Sequence, residues 1–173
     1  AFVMAAFHKN YKITLREIES WSRILSTISN SVIWISSTNK IAEQNISNEF
    51  MNRGVKPNSI NFAPRMQTSE EHLSRHSCAD LFIDTFNFNA HSTAMDSLWA
   101  GLPVVTLKGK GFAARVSASF LTTLELEELI ANTTQQYEQI IIDLAKNQDK
   151  LIEIKNKLTH SKYQNPLFNS KVS

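Results

Sequence analysis

Short apolar runs and amphipathic stretches alternate along this 173-residue chain. Ala1 to Phe7 is apolar and strand-length. Thr14-Leu15-Arg16-Glu17 has the spacing of a capping box, and Ile18, Trp21, Ile24, Leu25 and Ile28 then share one face of a predicted helix to about Ser29. Val32 to Ile35 reads as a strand, and Ile41 to Arg53 as a helix stopped by Gly54 with Pro57 beyond. Ile60 to Phe62 is a third strand, closed by Ala63-Pro64 and followed by a short helix from Ser69 to His76. The pattern then predicts a strand over Asp80–Thr85, a helix over Thr93–Ala100, a strand over Val104–Leu107 and a helix over about Ala113–Leu124. From Thr134 to His160, Tyr137, Ile141, Leu144, Leu151, Ile154 and Leu158 recur at helical spacing; two helices packed on the domain fit better than a coiled coil.

Strands separated by helical crossovers imply an α/β fold with a doubly wound parallel sheet, Rossmann-like in kind. Ligands in such sheets sit beyond the carboxyl ends of the strands. Four loops meet there, after Phe7, Phe62, Thr85 and Leu107. They carry Lys9 and Lys12; Arg65 and His72; Asn89, His91, Ser92 and Thr93; and Lys108, Lys110 and Gly111. Basic and hydroxyl groups in all four suit a phosphate-bearing ligand. The sharpest piece is His91-Ser92-Thr93, which opens a helix directly after a buried strand, with Asp96 read into its first turn. A helix start offers free N–H groups and a positive dipole end to an anion, and the side chains add further donors.

Composition narrows the alternatives. A net charge of +2 with no run of like charges gives no basis for a nucleic-acid or membrane partner. No apolar run approaches the ~20 residues of a membrane-spanning helix. Asp80 and Asp84 share a strand face, but no Asp-x-Asp pair or His/Cys cluster suggests a metal. The single Cys78 excludes an internal disulfide, suits a reducing compartment and reads as a small buried hydrophobe. His8, His76 and His160 read as surface or satisfied core residues, and Trp34 and Trp99 as core.

Several of these pieces occur in a telling order: Phe7, Tyr11-Lys12-Ile13, Phe62-Ala63-Pro64, Glu71-His72-Leu73 with Arg75, Ala79 to Thr85, Asn89 to Asp96, Leu98 to Thr106, and Ala113-Ala114-Arg115-Val116. Together they closely resemble the C-terminal half of the O-linked N-acetylglucosamine transferase family, including its SPINDLY-type and bacterial TPR-linked members. The segment Pro166-Leu167-Phe168-Asn169 resembles the family's last short motif.

The resemblance implies that residues 1–173 form the C-terminal, nucleotide-sugar-binding domain of a GT-B glycosyltransferase. The other Rossmann-like half, with acceptor groups and any TPR repeats, would lie upstream, so that the isolated domain would be inactive. It further implies an inverting, metal-independent, cytoplasmic enzyme with no cofactor. A nucleotide-sugar would be the donor substrate and protein Ser/Thr the acceptor. UDP-N-acetylglucosamine or a UDP-hexose is the expected donor, with GDP-fucose open because SPINDLY-type relatives use it.

By the same resemblance Lys12 matches the lysine that stabilises the leaving diphosphate, and His91, Ser92 and Thr93 match the diphosphate-binding helix start. Asp96 matches a ribose acceptor, and His72 and Arg75 match residues around the base. Departures are Lys9 where a glutamine is common, Arg65 as the basic residue of a lengthened loop, and Glu125 where a glycine is common. The alternative reading is a non-catalytic nucleotide-binding or protein-interaction module derived from a transferase.

Overall fold

A computed structural model describes residues 1–37, 39–64, 68–161, 164–165 and 167, with nothing described of the side chain of Ser69. Six strands form one sheet in the order β3-β2-β1-β4-β5-β6: β1 Phe2–Ala6, β2 Ser31–Ser36, β3 Ile60–Ala63, β4 Leu81–Ile83, β5 Val104–Leu107 and β6 Ile130–Ala131. All five neighbouring pairs are parallel; Met4 faces Ile33 on one side and Leu81 on the other. The helices are α1 Leu15–Thr27, α2 Lys40–Met51, α3 Ser69–His76, α4 Ser92–Trp99, α5 Val116–Thr123, α6 Thr134–Lys146 and α7 Gln148–Ser161.

Strand order reverses between β1 and β4. Right-handed crossovers on either side of that point place helices on both faces of the sheet. Accordingly α1 packs on α2 and α6, while α3 packs on α4 and α4 meets α7. The core runs through the sheet from Phe2, Met4 and Ile33 to Phe82, Val105 and Leu121, with Trp21 and Tyr137 fully buried beneath α1 and α6. Trp21 Nε1 donates to Tyr137 Oη at 3.0 Å, and Tyr137 Oη donates to the Asp84 carbonyl at 3.0 Å.

Predicted and observed elements differ in four places. The stretch expected as one helix from Ala113 to Leu124 is a 3-10 turn, Phe112–Ala114, and then α5, broken at Arg115 with φ −130° and ψ 0°. β6 was not anticipated; two residues leave no readable alternation, and their strand character comes from pairing with Thr106 and Leu107. Cys78 is exposed rather than buried, because it lies on the turn after α3 and not on the strand that follows. Trp34 and Trp99 are half-buried and pack against the core from outside it.

Glu125, at the position where a glycine is common among relatives by resemblance, holds φ +59°, the left-handed region that glycine occupies without penalty. Of the terminal motif, only Leu167 falls within the described residues, and it packs on the core; just before the motif, Asn165 Nδ2 donates to the Thr123 carbonyl.

Candidate nucleotide-sugar site

At the switch point the loop after β1 and the loop after β4 form the two sides of a cleft of about 390 Å³. Lys9, Tyr11 and Lys12 line it from the first loop; Phe88, Ala90 and His91 from the second; Ser92 and Thr93 from the start of α4; and His72 and Arg75 from α3. Ser36, at the end of β2, lines it as well. Seven of the nine site residues predicted from sequence thus meet in one cavity. Asp96 stands behind the wall and touches it through His72, Nε2 to Oδ2 3.3 Å. Arg65 lies outside the described residues. Lys108 and Lys110, expected at the same edge, do not line this cleft; they belong to a neighbouring groove with α5.

Lys12 ends a 3-10 turn, Asn10–Lys12, and its ammonium lies 4.7 Å from the centroid of the Phe88 ring and 3.5 Å from the Asn89 carbonyl oxygen. Partial burial pulls its pKa below the ordinary lysine value; the Asp84 charge opposes that and Lys9 adds to it. On the opposite wall His91 is the N-cap of α4, with φ −102° and ψ −87°, but its side chain makes no cap bond. Its imidazole stacks instead on Phe88, centroids 5.7 Å apart and planes 15° apart. The cap site therefore leaves the first N–H groups of α4 free to face an anion. Asp96 sits in the second turn of α4, not the first, and its Oδ2 lies 3.3 Å from His72 Nε2.

The loop that carries this wall is braced by groups that the sequence reading had not singled out for it. Asp84 is fully buried: its Oδ1 accepts from the N–H of Thr85 and of Ala90, each at 2.9 Å, and its Oδ2 from Thr106 Oγ1 at 2.8 Å. Burial raises its carboxyl pKa to about 6 against those donors. Asn89 Nδ2 donates to the Thr85 carbonyl at 2.8 Å, and Asn89 N to the Ala113 carbonyl at 2.8 Å. Glu17 does more than cap α1. Its Oε2 accepts from Thr14 N at 2.7 Å, and its Oε1 accepts from Phe86 N at 3.1 Å, which pins the second loop to the first helix.

Behind the cleft, His8 and His76 are buried core residues, but neither is fully satisfied. His8 Nε2 donates to the Ile83 carbonyl at 2.8 Å and its Nδ1 has no partner; His76 Nδ1 donates to the His72 carbonyl at 2.8 Å and its Nε2 has none. Burial pushes the pKa of each down to about 4, so both imidazoles are neutral at pH 7. Arg75 is also buried: its guanidinium lies 4.1 Å over the Phe7 ring and donates to the Pro64 carbonyl at 3.1 Å. It holds the cleft floor and the loop after β3 together. Among the described residues no group of three or more His, Cys, Asp or Glu could hold a metal ion. No described helix is long and apolar enough to cross a membrane.

The glycosyl transferase family 41 model matches residues 1–173. The chain belongs to this family. It is 33% identical over 171 residues to the UDP-N-acetylglucosamine–peptide N-acetylglucosaminyltransferase of Caenorhabditis elegans, covering 99% of this chain and 15% of that protein. It is 32% identical to the probable transferase SEC of Arabidopsis thaliana, over 98% of this chain and 17% of that one. The family 41 chain therefore spans about one sixth of the length of these relatives. The fold of a Thermobaculum terrenum O-GlcNAc transferase mutant superposes with a TM-score of 0.89 over 98% of this chain and 32% of that one, at 23% identity. S. aureus TarM superposes at 0.72 over 95% of this chain and 33% of its own, at 10% identity. The family 41 chain thus has the Rossmann-like half of the GT-B architecture.

Proposed function

We propose that this chain is the donor-binding half of a nucleotide-sugar-dependent protein glycosyltransferase. The observation that carries the reading is one cleft with a partly buried lysine on one wall and an open helix start, His91-Ser92-Thr93, on the other. A diphosphate fits between them. The N–H groups and hydroxyls of α4 hold it in place, and Lys12 offsets the negative charge that grows on the leaving phosphate as the sugar–oxygen bond breaks. A fixed cation contributes most where charge develops in the transition state. His72, backed by Asp96, then faces the nucleoside end, with Arg75 keeping α3 in place beneath it.

The relatives' names support UDP-N-acetylglucosamine as donor and a peptide as acceptor. Transfer is an in-line displacement with inversion, in which the acceptor hydroxyl attacks the anomeric carbon as the nucleoside diphosphate departs. In this reading most of the acceptor groups and any general base come from a second half outside these 173 residues. No cofactor or metal is assigned a role, because Lys12 and α4 supply the charge offset. An exposed free thiol at Cys78 supports a reducing, cytoplasmic setting.

Titration of UDP, UDP-N-acetylglucosamine, a UDP-hexose and GDP-fucose tests the reading. Saturable binding of one nucleotide, lost in Lys12→Ala, is the expected result; absence of binding to all four would overturn it.

A further inference from the structure

A second groove, of about 650 Å³, is lined by the loop after β5 and by α5. Three cations, Lys108, Lys110 and Arg115, line it together with Phe112, Val116 and Phe120. None of the three pairs with a carboxylate among the described residues, and Phe112 is 83% exposed. This is an unusual combination on a chain whose net charge is only +2: local positive charge without compensation, around an aromatic side chain that nothing described covers.

We propose that this groove docks the acceptor polypeptide through an acidic segment bearing an apolar side chain. The inference rests on the transferase reading above and goes beyond it by naming which surface selects the acceptor and by what chemistry. Two observations argue for a polypeptide. The groove adjoins the cleft: Phe112 of its lining meets the ring of His91, which lines the cleft, edge-on with centroids 6.5 Å apart. An extended segment seated along α5 therefore leads its next residues towards the diphosphate wall, where a transferred sugar would be received. The lining also mixes cations with apolar side chains and the hydroxyls of Ser119 and Thr122, which matches side chains of both kinds on one segment. Three cations in one concavity fall short of the basic track that a nucleic-acid backbone needs. Uncompensated charge beside an aromatic anchor provides orientation and encounter rate through the field, and residence through the ring once a partner covers it.

The test uses the full-length protein and fluorescein-labelled peptides with a central serine. One is flanked by Asp and Phe, a second has Asn in place of Asp, and a third has Lys. Wild-type protein should bind the Asp peptide most tightly, with affinity falling as salt is raised. The double variant Lys108→Glu/Lys110→Glu should lose roughly tenfold for the Asp peptide and gain for the Lys peptide, with UDP affinity unchanged. Lys108→Gln/Lys110→Gln, a milder change, should weaken the Asp peptide in the same direction.

Equal binding of the Asp and Asn peptides, or an unchanged Asp peptide in both double variants, would overturn the proposal. So would competition by phosphatidylserine vesicles that is lost in the variants while peptide binding is kept. Failure of wild-type protein to bind any of the nucleotides tested above would count against the donor reading instead.

Discussion

The Lys12 ammonium lies 4.7 Å from the centre of the Phe88 ring, so the cation on one wall of the cleft rests against the aromatic face of the other. That contact, with the Asn89 carbonyl at 3.5 Å, orients a side chain that would otherwise sweep through solvent. In the full-length enzyme, Lys12→Ala should lower kcat by about 10²–10³-fold, the loss seen when one preorganised group facing developing charge is removed. The fold should be unaffected, as circular dichroism and thermal unfolding would show. Wild-type turnover in this variant would remove Lys12 from the reaction.

Asp84 governs the geometry of the opposite wall. Asp84→Ala leaves the N–H groups of Thr85 and Ala90 and the hydroxyl of Thr106 without their acceptor in the protein interior. At about 1–3 kcal/mol for each orphaned donor, it should cost at least about 3 kcal/mol in urea unfolding and weaken nucleotide binding as the loop before α4 loosens. Asp84→Asn keeps the shape and an acceptor oxygen, and should retain most of the stability.

The pH dependence of stability follows from three buried groups. His8 and His76 titrate near 4 in the folded chain and near 6.5 when unfolded, so between those values the unfolded state binds more protons and stability falls as pH falls. Asp84 titrates near 6 folded and near 3.8 unfolded, so over nearly the same window it acts in the opposite sense. Two groups against one leave a net loss of about 1.4 kcal/mol per pH unit as pH drops from 6 to 4. Asp84→Asn removes the opposing group and should steepen the loss to about twice that slope. Urea midpoints measured across this range would show both; a flat profile would contradict the neutral buried histidines.

Glu125 holds a left-handed backbone with φ +59°. For an L side chain that conformation costs roughly 1–2 kcal/mol, of which glycine is free, though glycine loses more entropy on folding. Glu125→Gly should therefore raise stability by up to about 1 kcal/mol and leave nucleotide affinity unchanged. A fall in the melting temperature would mean that the Glu125 side chain contributes more than its backbone strains.

Much of the fold was readable because its signals are local. Thr14 and Glu17 mark a helix start three residues apart, and Gly101-Leu102-Pro103 marks the end of another just before a buried strand. The parallel sheet follows from the rhythm of strands and crossovers, and the helix start at Ser92 from three adjacent residues. The braces were not readable. Glu17 reaches Phe86 across 69 positions and Trp21 reaches Tyr137 across 116, and nothing in either neighbourhood announces the other. The same holds for Lys108 and Lys110: their place in the chain put them at the correct edge, but only packing against α5 shows that they serve a different concavity. His8 and His76 look like ordinary histidines in sequence, and the strands packed over them make them neutral.

The contact between Lys12 and Asn89 joins residues 77 positions apart, and the two strands that precede them, β1 and β4, are neighbours in the sheet although β2 and β3 intervene in sequence and lie on the other side of β1. No fragment shorter than the span from β1 to α4 contains both walls. A complete nucleotide cleft therefore requires β1 and β4 to have paired, a step expected late in folding because pairing of such distant segments is slow. A labelled nucleotide would act as a clock for that step: its signal should rise with the last phase of refolding and lag behind the helical signal of α1 and α2.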